Sequence, residues 1–156
     1  MRNNGKTLEQ KLKEVKAKDL MSRFAITIKE DETIPTLAHL MMRFKISGVP
    51  VCRENGAVCG IITATDLFDL MKKMTQAMKN GEPAGDYATM KVKDLMAPQV
   101  ITITEETTLF EIMIIMSEHS IHTLPVMVLS KHEIVGVIGR RDILNAFYAG
   151  ALGGSK

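Results

Sequence analysis

Two short segments of this chain end an apolar run in a polar turn that carries an aspartate. They are Gly60-Ile61-Ile62-Thr63-Ala64-Thr65-Asp66-Leu67 and Gly136-Val137-Ile138-Gly139-Arg140-Arg141-Asp142-Ile143. Apolar residues follow each aspartate at helical spacing: Leu67, Leu70, Met71 and Met74 in the first segment, Ile143, Leu144, Ala146 and Phe147 in the second. A strand that stops at a helix N-terminus offers free backbone N–H groups and the positive end of the helix dipole, which suits a phosphate. Hydroxyls at Thr63 and Thr65, and guanidinium groups at Arg140 and Arg141, add donors beside it. A carboxylate holds phosphate poorly but accepts hydrogen bonds from vicinal hydroxyls such as those of a ribose. Each aspartate also has a purely structural use as a helix cap. One copy leaves both uses open, and a second copy favours the ligand.

The elements that must position these turns are themselves duplicated. Lys18-Asp19-Leu20-Met21 recurs as Lys93-Asp94-Leu95-Met96, Ile26-Thr27-Ile28 as Ile101-Thr102-Ile103, and Pro50-Val51 as Pro125-Val126. One residue is then inserted where Asn55-Gly56 becomes Ser130-Lys131-His132, after which Gly60 and Asp66 match Gly136 and Asp142. Ordered matches with a single insertion in a turn mark a tandem duplication. Each copy reads as β-α-β-β-α. A strand (26–28; 101–103) leads to a helix from near Thr33 or Thr108, the latter with a Thr108/Glu111 capping box. Two strands follow (49–53 and 58–63; 124–129 and 134–138), then the helix bearing Asp66 or Asp142. The apolar faces of one such unit are too large to bury alone, so the copies are expected to pack on each other. Residues 75–89, with Gly81, Pro83 and Gly85, read as the tail of a helix followed by a linker. Leu8 to Lys16 reads as one amphipathic helix with a solvated lysine face, and 150–156 as frayed. The expected boundaries are an extension at 1–14, a first repeat at 15–74, the linker at 75–89, a second repeat at 90–148 and a tail at 149–156.

The totals exclude several functions. Among 156 residues, 46 % are hydrophobic, which supports a true core. Twenty Lys and Arg oppose 18 Asp and Glu, a net charge of +2, so the overall field gives no case for nucleic acid as a partner. No run approaches the roughly 20 apolar residues of a membrane span. The basic, polar N-terminus is not a secretory signal, so a cytoplasmic protein is expected. Two Cys and four scattered His give no metal-site spacing. Asp66 and Asp142 occupy symmetric roles rather than those of an acid–base pair, and no nucleophile elbow or Walker loop occurs, which argues against an enzyme. The 12 Met, against five Phe and no Trp, read as a pliable core or partner surface. His39, His119 and His132 read as surface residues. Asn55-Gly56 predicts a two-residue hairpin loop that sets Cys52 opposite Cys59. A cross-strand disulfide is conceivable there, but reduced thiols filling a core are expected.

The K-D-L-M opening, the I-T-I strand, the S-G-V-P-V and H-T-L-P-V strand entries and the G-I-I-T-A-T-D-L ending together resemble a tandem pair of CBS domains, the Bateman module. The resemblance covers residues 15–74 and 90–148 and implies an α+β fold of two repeats packed sheet to sheet about a pseudo-twofold axis, with two clefts. It implies regulation rather than catalysis, no catalytic cofactor, and as regulatory ligand an adenine nucleotide (AMP, ADP, ATP) or S-adenosylmethionine. By the same resemblance one cleft draws on Thr63, Thr65 and Asp66 together with Val100, Ile101, His122, Thr123 and Pro125. Asp66 would hold the ribose hydroxyls, Thr63, Thr65 and His122 would face phosphates, and Val100 and Ile101 would enclose adenine. The other cleft draws on Arg140, Arg141 and Asp142 with Ala25, Ile26, Ile46, Ser47, Gly48 and Pro50. It departs from the Ser/Thr-x-x-Asp pattern at Gly139, and the adjacent arginines are expected either to compensate or to be solvated surface. A homodimer and an effector protein of unknown identity are the implied macromolecular partners. The competing reading is a ligand-free scaffold for dimerisation or partner docking.

Overall fold

The computed structural model describes residues 5–151 and divides into two compact units. One is contiguous, Ile26–Val100; the other is discontinuous and joins the residues up to Ala25 to those from Ile101 onward. Residues 1–4 of the predicted extension and 152–156 of the predicted frayed tail lie outside the described residues.

In the contiguous unit, β1 (Ile28–Lys29), β2 (Gly48–Cys52) and β3 (Val58–Thr63) form a sheet of order β1-β2-β3, parallel between β1 and β2 and antiparallel between β2 and β3. Helix α1 (Leu8–Glu14) and the short α2 (Ala17–Leu20) precede this sheet in the chain and belong to the other unit. Helix α3 (Ile34–Phe44) starts where the Thr33 hydroxyl accepts the Thr36 N–H, with Pro35 in its first turn. Helix α4 (Ala64–Lys79) leaves the end of β3, and α5 (Val92–Leu95) closes the unit. Ile34, Leu37 and Met41 of α3 bury against Val49, Val51, Ile62, Leu70 and Val92.

The discontinuous unit repeats the plan. Helix α6 (Leu109–His119) begins at the Thr108/Glu111 capping box, and β4 (Thr123–Val128) pairs antiparallel with β5 (Glu133–Gly139). Helix α7 (Arg140–Asn145) then runs into a π-helical turn, Ala146–Ala151. Ala17, Ile103, Ile112, Leu124, Val126 and Ile138 form its core, and Leu12 of α1 packs with Leu109 of α6.

Several elements differ from the sequence pattern. The first strand pairs only from Ile28, where Val51 becomes available, and in the second copy it shrinks to a single parallel bridge, Ile103 to Val126. Helix α1 stops at Glu14 because Val15 is extended and Ala17 starts a new helix. Helix α4 continues to Lys79, as the expected helix tail at the start of 75–89 has it, but within the rest of the predicted linker Tyr87 packs on the core while Ile34 N–H bonds the Met90 carbonyl just beyond it. The hairpin register also shifts. Gly56 takes φ 83°, the loop gains a residue, and a bulge sets Cys52 opposite Val58 and Val51 opposite Gly60. Cys52 therefore does not face Cys59, and both thiols are free. Burial pushes both thiols above their usual range, aided at Cys59 by the Glu30 carboxylate 3.6 Å away.

What locks each unit is the K-D-L-M turn. Ile61 and Ala97 exchange two backbone hydrogen bonds (3.2 and 3.0 Å), and Ser22 and Val137 do the same (3.0 and 3.1 Å). Each turn thus docks on the β-hairpin of the copy to which it does not belong by sequence. The matched glycines make room for it. A Cβ at Gly60 would lie 2.5 Å from the Met96 sulfur and 2.9 Å from the Ala97 carbonyl oxygen, and one at Gly136 would lie 2.6 Å from the Met21 sulfur and 2.9 Å from the Ser22 carbonyl oxygen. Because backbone as well as a side chain must yield, Gly60→Ala and Gly136→Ala should each destabilise the protein by about 1–3 kcal/mol, read by denaturant or thermal unfolding.

The turns carry matching ion pairs. Lys16 and Lys18 hold Glu106, and Lys93 holds Asp31 at 2.9 Å with Lys91 at 3.9 Å. Hydrogen bonds from Lys16 and Lys18 bring the Glu106 carboxyl from 4.5 down to about 2. A depressed carboxyl stabilises the fold above its unfolded pKa and loses that contribution as the pH falls towards the folded value. The pairs are solvent-exposed, so the effect is small. Glu106→Gln should therefore lower the unfolding temperature slightly at neutral pH, and the difference from the parent should vanish between pH 4.5 and 2.

Candidate functional site

The two strand-to-helix turns are built on the same frame with different chemistry. Thr63, at φ −125° and ψ 166°, is both the last residue of β3 and the N-cap of α4, so the helix starts before Asp66. Asp66 Oδ2 accepts the Thr63 N–H at 2.7 Å and the Thr63 hydroxyl at 3.1 Å, and Thr63 Oγ1 accepts the Asp66 N–H at 3.4 Å. The hydroxyl proton of Thr63 is thus spent inside the cap, where the resemblance had it facing a phosphate. Asp66 Oδ1 has no donor among the described residues, and Thr65 is exposed. The carboxylate is held rigidly by one oxygen and offers the other, an arrangement fit to receive a ribose hydroxyl.

At the second turn, Gly139 N–H donates to Asp142 Oδ2 at 2.8 Å. With no hydroxyl there, nothing from a side chain caps the N–H groups of the first turn of α7. Arg140 and Arg141 are exposed. Asp142 also lines an open pocket of about 470 Å³ with Val15, Asp19, Leu20, Asn145, Ala146 and Ala149. The sequence reading gave no role to Asp19, Asn145 or Ala149. The signal for Asp19 was the repeated K-D-L-M itself, since Asp19 and Asp94 accept the Lys16 and Lys91 N–H and cap α2 and α5.

The pairing register decides which of the expected site residues lie together within a unit. Gly48 pairs with Thr63, and Ala64 N–H donates to the Ser47 carbonyl at 2.8 Å. Ile46, Ser47 and Gly48 therefore stand beside Thr63, Thr65 and Asp66, although the resemblance assigns them to different clefts. Likewise Thr123 pairs with Gly139 as the last pair of its ladder, with exposed His122 just before it and exposed Arg140 just after it in the chain. Ile26 and Val100 belong to the contiguous unit, and Ala25 and Ile101 to the discontinuous one. Pro50, Thr123 and Pro125 are buried within their strands, where they pack the sheet. Among the described residues no group of three His, Cys, Asp or Glu could hold a metal ion.

A capping hydroxyl present at one turn and missing at the other has a measurable price in stability. Thr63→Ala should cost about 0.5–2 kcal/mol by removing the cap, whereas Gly139→Ser should gain a few tenths of a kcal/mol. Gly139 is extended (φ −115°, ψ 178°) and its would-be Cβ meets only Asp142 at 3.9 Å, so serine fits without strain. Chemical denaturation of the two variants checks both signs.

A doubled β-α-β-β-α unit with an aspartate at each strand-to-helix turn is the pattern of one family. A model of the CBS domain matches residues 17–73 and 92–149, and the chain belongs to that family, carrying the domain twice. It is 29 % identical over 136 residues to a homoserine O-acetyltransferase of Methanosphaera stadtmanae, a match covering 87 % of this chain and 25 % of that protein. The chain spans only 22–25 % of the length of the first curated relatives it matches. Among solved structures it resembles CBSX2 in complex with AMP, at TM-score 0.69 and 20 % identity, covering 86 % of this chain and 96 % of that one. It also resembles the CBS domain pair of protein MJ0100 in complex with 5′-methylthioadenosine and S-adenosyl-L-methionine, at TM-score 0.68 and 25 % identity, covering 85 % and 99 %. The fold is α+β, as in these CBS pairs.

Proposed function

We propose that this chain is a regulatory module that binds an adenosyl ligand of the AMP, ADP, ATP or S-adenosylmethionine class. The observation that carries the reading is the duplicated turn at which an aspartate is fixed through one oxygen and presents the other. The ligands of CBSX2 and MJ0100 support the chemical class. In this reading Asp66 receives the ribose hydroxyls with Thr65 beside it, and Val100, Ile101, His122, Thr123 and Pro125 complete the set that the family resemblance assigns. The set around Asp142 is Arg140, Arg141, Ala25, Ile26, Ile46, Ser47, Gly48 and Pro50. Binding shifts the relative geometry of the repeats or of a homodimer, because a ligand moves an equilibrium by its difference in affinity for the two states. No covalent chemistry is assigned to the chain. Phe68 and Met71 on α4, Met42 and Phe44 on α3, and Leu144 on α7 are exposed apolar side chains that support a homodimer or an effector docking through helices. Among the described residues no helix is long and apolar enough to cross a membrane, and the cytoplasm is the proposed location.

Thermal unfolding with AMP, ADP, ATP, S-adenosylmethionine and guanosine nucleotides tests the reading. A ligand at about 100 times its dissociation constant adds roughly 2.7 kcal/mol, a rise of several degrees for a chain of this size. One adenosyl ligand should give that rise, and Asp66→Ala should abolish it. The absence of any rise would overturn the proposal in favour of the scaffold, which the exposed helix faces serve without a ligand.

A further inference from the structure

Helix α6 carries more apolar surface than its own core uses. Leu109 and Ile112 are fully buried, and Ile115 and Met116 pack beside them. A second apolar row runs along Phe110, Met113 and Ile114, at helical spacing on another face. The other copy shows that the fold does not need this row, because Pro35, Ala38 and His39 stand at the equivalent places of α3. Phe110 and Met113 are partly covered by Leu12 of α1, a helix that precedes the residues matched by the family model. Ile114 remains 41 % exposed. An open groove of about 380 Å³ is left along α1 and α6, lined by Leu12, Phe110, Met113, Ile114, Ser117 and Glu118. Its two ends carry opposite charges. Lys13 Nζ lies 4.9 Å from the centre of the Phe110 ring, in an exposed pair with Glu9 at 2.7 Å. Glu118 lies about two turns further along α6, exposed and without an ion-pair partner among the described residues.

We propose that this groove receives α6 of a second copy of the chain, the two helices lying antiparallel about a twofold axis beside Met113 and Ile114. A twofold surface must complement itself, so each end of the row meets the opposite end of its copy. Phe110 then lies against the partner subunit's Ser117, and Lys13 reaches the partner subunit's Glu118. Met113 and Ile114 fill the middle, where the exposed apolar surface is concentrated. The exposed Lys13–Glu9 pair is weak, so Lys13 is free to serve a second carboxylate. A cation at one end and an anion at the other favour a copy of this chain over a foreign helix of uniform charge. The exposed side chains of α3, α4 and α7 take no part, and the pairing stands whether or not an adenosyl ligand binds.

Sedimentation velocity of the full chain over a range of concentrations, without nucleotide, tests this, with far-UV circular dichroism to confirm folding of the variants. The parent should associate reversibly. Glu118→Lys and Lys13→Glu should each weaken association about tenfold, because the twofold applies every change twice. The double variant Lys13→Glu/Glu118→Lys should regain most of the loss, which a merely structural role for either residue would not produce. Ile114→Asp, at a side chain the core does not use, should abolish association in a folded chain. Association that none of these variants alters lies on another face and overturns the proposal. So does a double variant no better than the single ones. A parent that stays monomeric at every concentration also overturns it, and leaves the groove to a helix of another protein.

Discussion

Each unit depends on the seating of a four-residue helical turn against a glycine of the β-hairpin. Two backbone hydrogen bonds and a methionine side chain fill the space that the missing Cβ leaves, at Gly60 under Met96 and at Gly136 under Met21. A backbone pair that close has no room for adjustment, so the hairpin and the incoming chain are held in one register. That register fixes the end of β3 or β5, and with it the point at which the chain turns into α4 or α7. The position of Asp66 or Asp142 is thus set by an interaction at the opposite end of the strand residues Ile61–Thr63 or Val137–Gly139. Ordinary close packing supplies the rest: β-branched residues of the hairpin against the apolar stripe of α3 or α6.

At the turns themselves one side chain carries a structural role and, in the proposed reading, a recognition role as well. An aspartate at the third helical position can close a capping box with one oxygen and leave the other lone pairs to a ligand. The cap thereby orients the oxygen that remains free. Where the partner is threonine, the box closes in both directions and the carboxylate is held by two donors. Where it is glycine, a single N–H holds the carboxylate and the helix start keeps its free donors beside two arginines. Duplication followed by such a change at one position gives two turns of common frame and unlike charge.

Much of this was legible in the sequence. Thr33, Thr108 and Glu111 announced their helix starts because capping is local chemistry, and β3 was read to the residue because its apolar run ends at Thr63. Helix ends were less legible, since α3 and α6 stop at Lys45 and Ser120 in the left-handed region, where no glycine marks the place. The hairpin bulge is not legible because Asn55-Gly56 also suits a tighter loop; the extra loop residue moves Cys52 from Cys59 to Val58, and the bulge restores the expected register from Val51 onward. The K-D-L-M turns were found as a repeat, but their partners were not, because sequence adjacency says nothing about which of two similar hairpins a docking turn selects. The aspartates were recognised as caps or ribose ligands; that Thr63 would spend its hydroxyl on Asp66 depends on side-chain orientation, which spacing does not encode.

The division of the chain into one unbroken unit and one split unit orders events in time. Residues 26–100 contain every strand and helix of their unit, so they can close as soon as they have left the ribosome. Residues 5–25 must wait, with Ala17 and Leu12 unburied, until α6 and the β4–β5 hairpin exist to receive them. The later closure brings together segments separated by the whole of the first unit. Its entropic penalty shrinks once that unit has folded and shortened the effective loop. Folding is therefore nested, the inner unit acting as a compact insert whose completion hastens the outer one. The unit that carries the arginines is therefore the one whose closure waits on both ends of the chain.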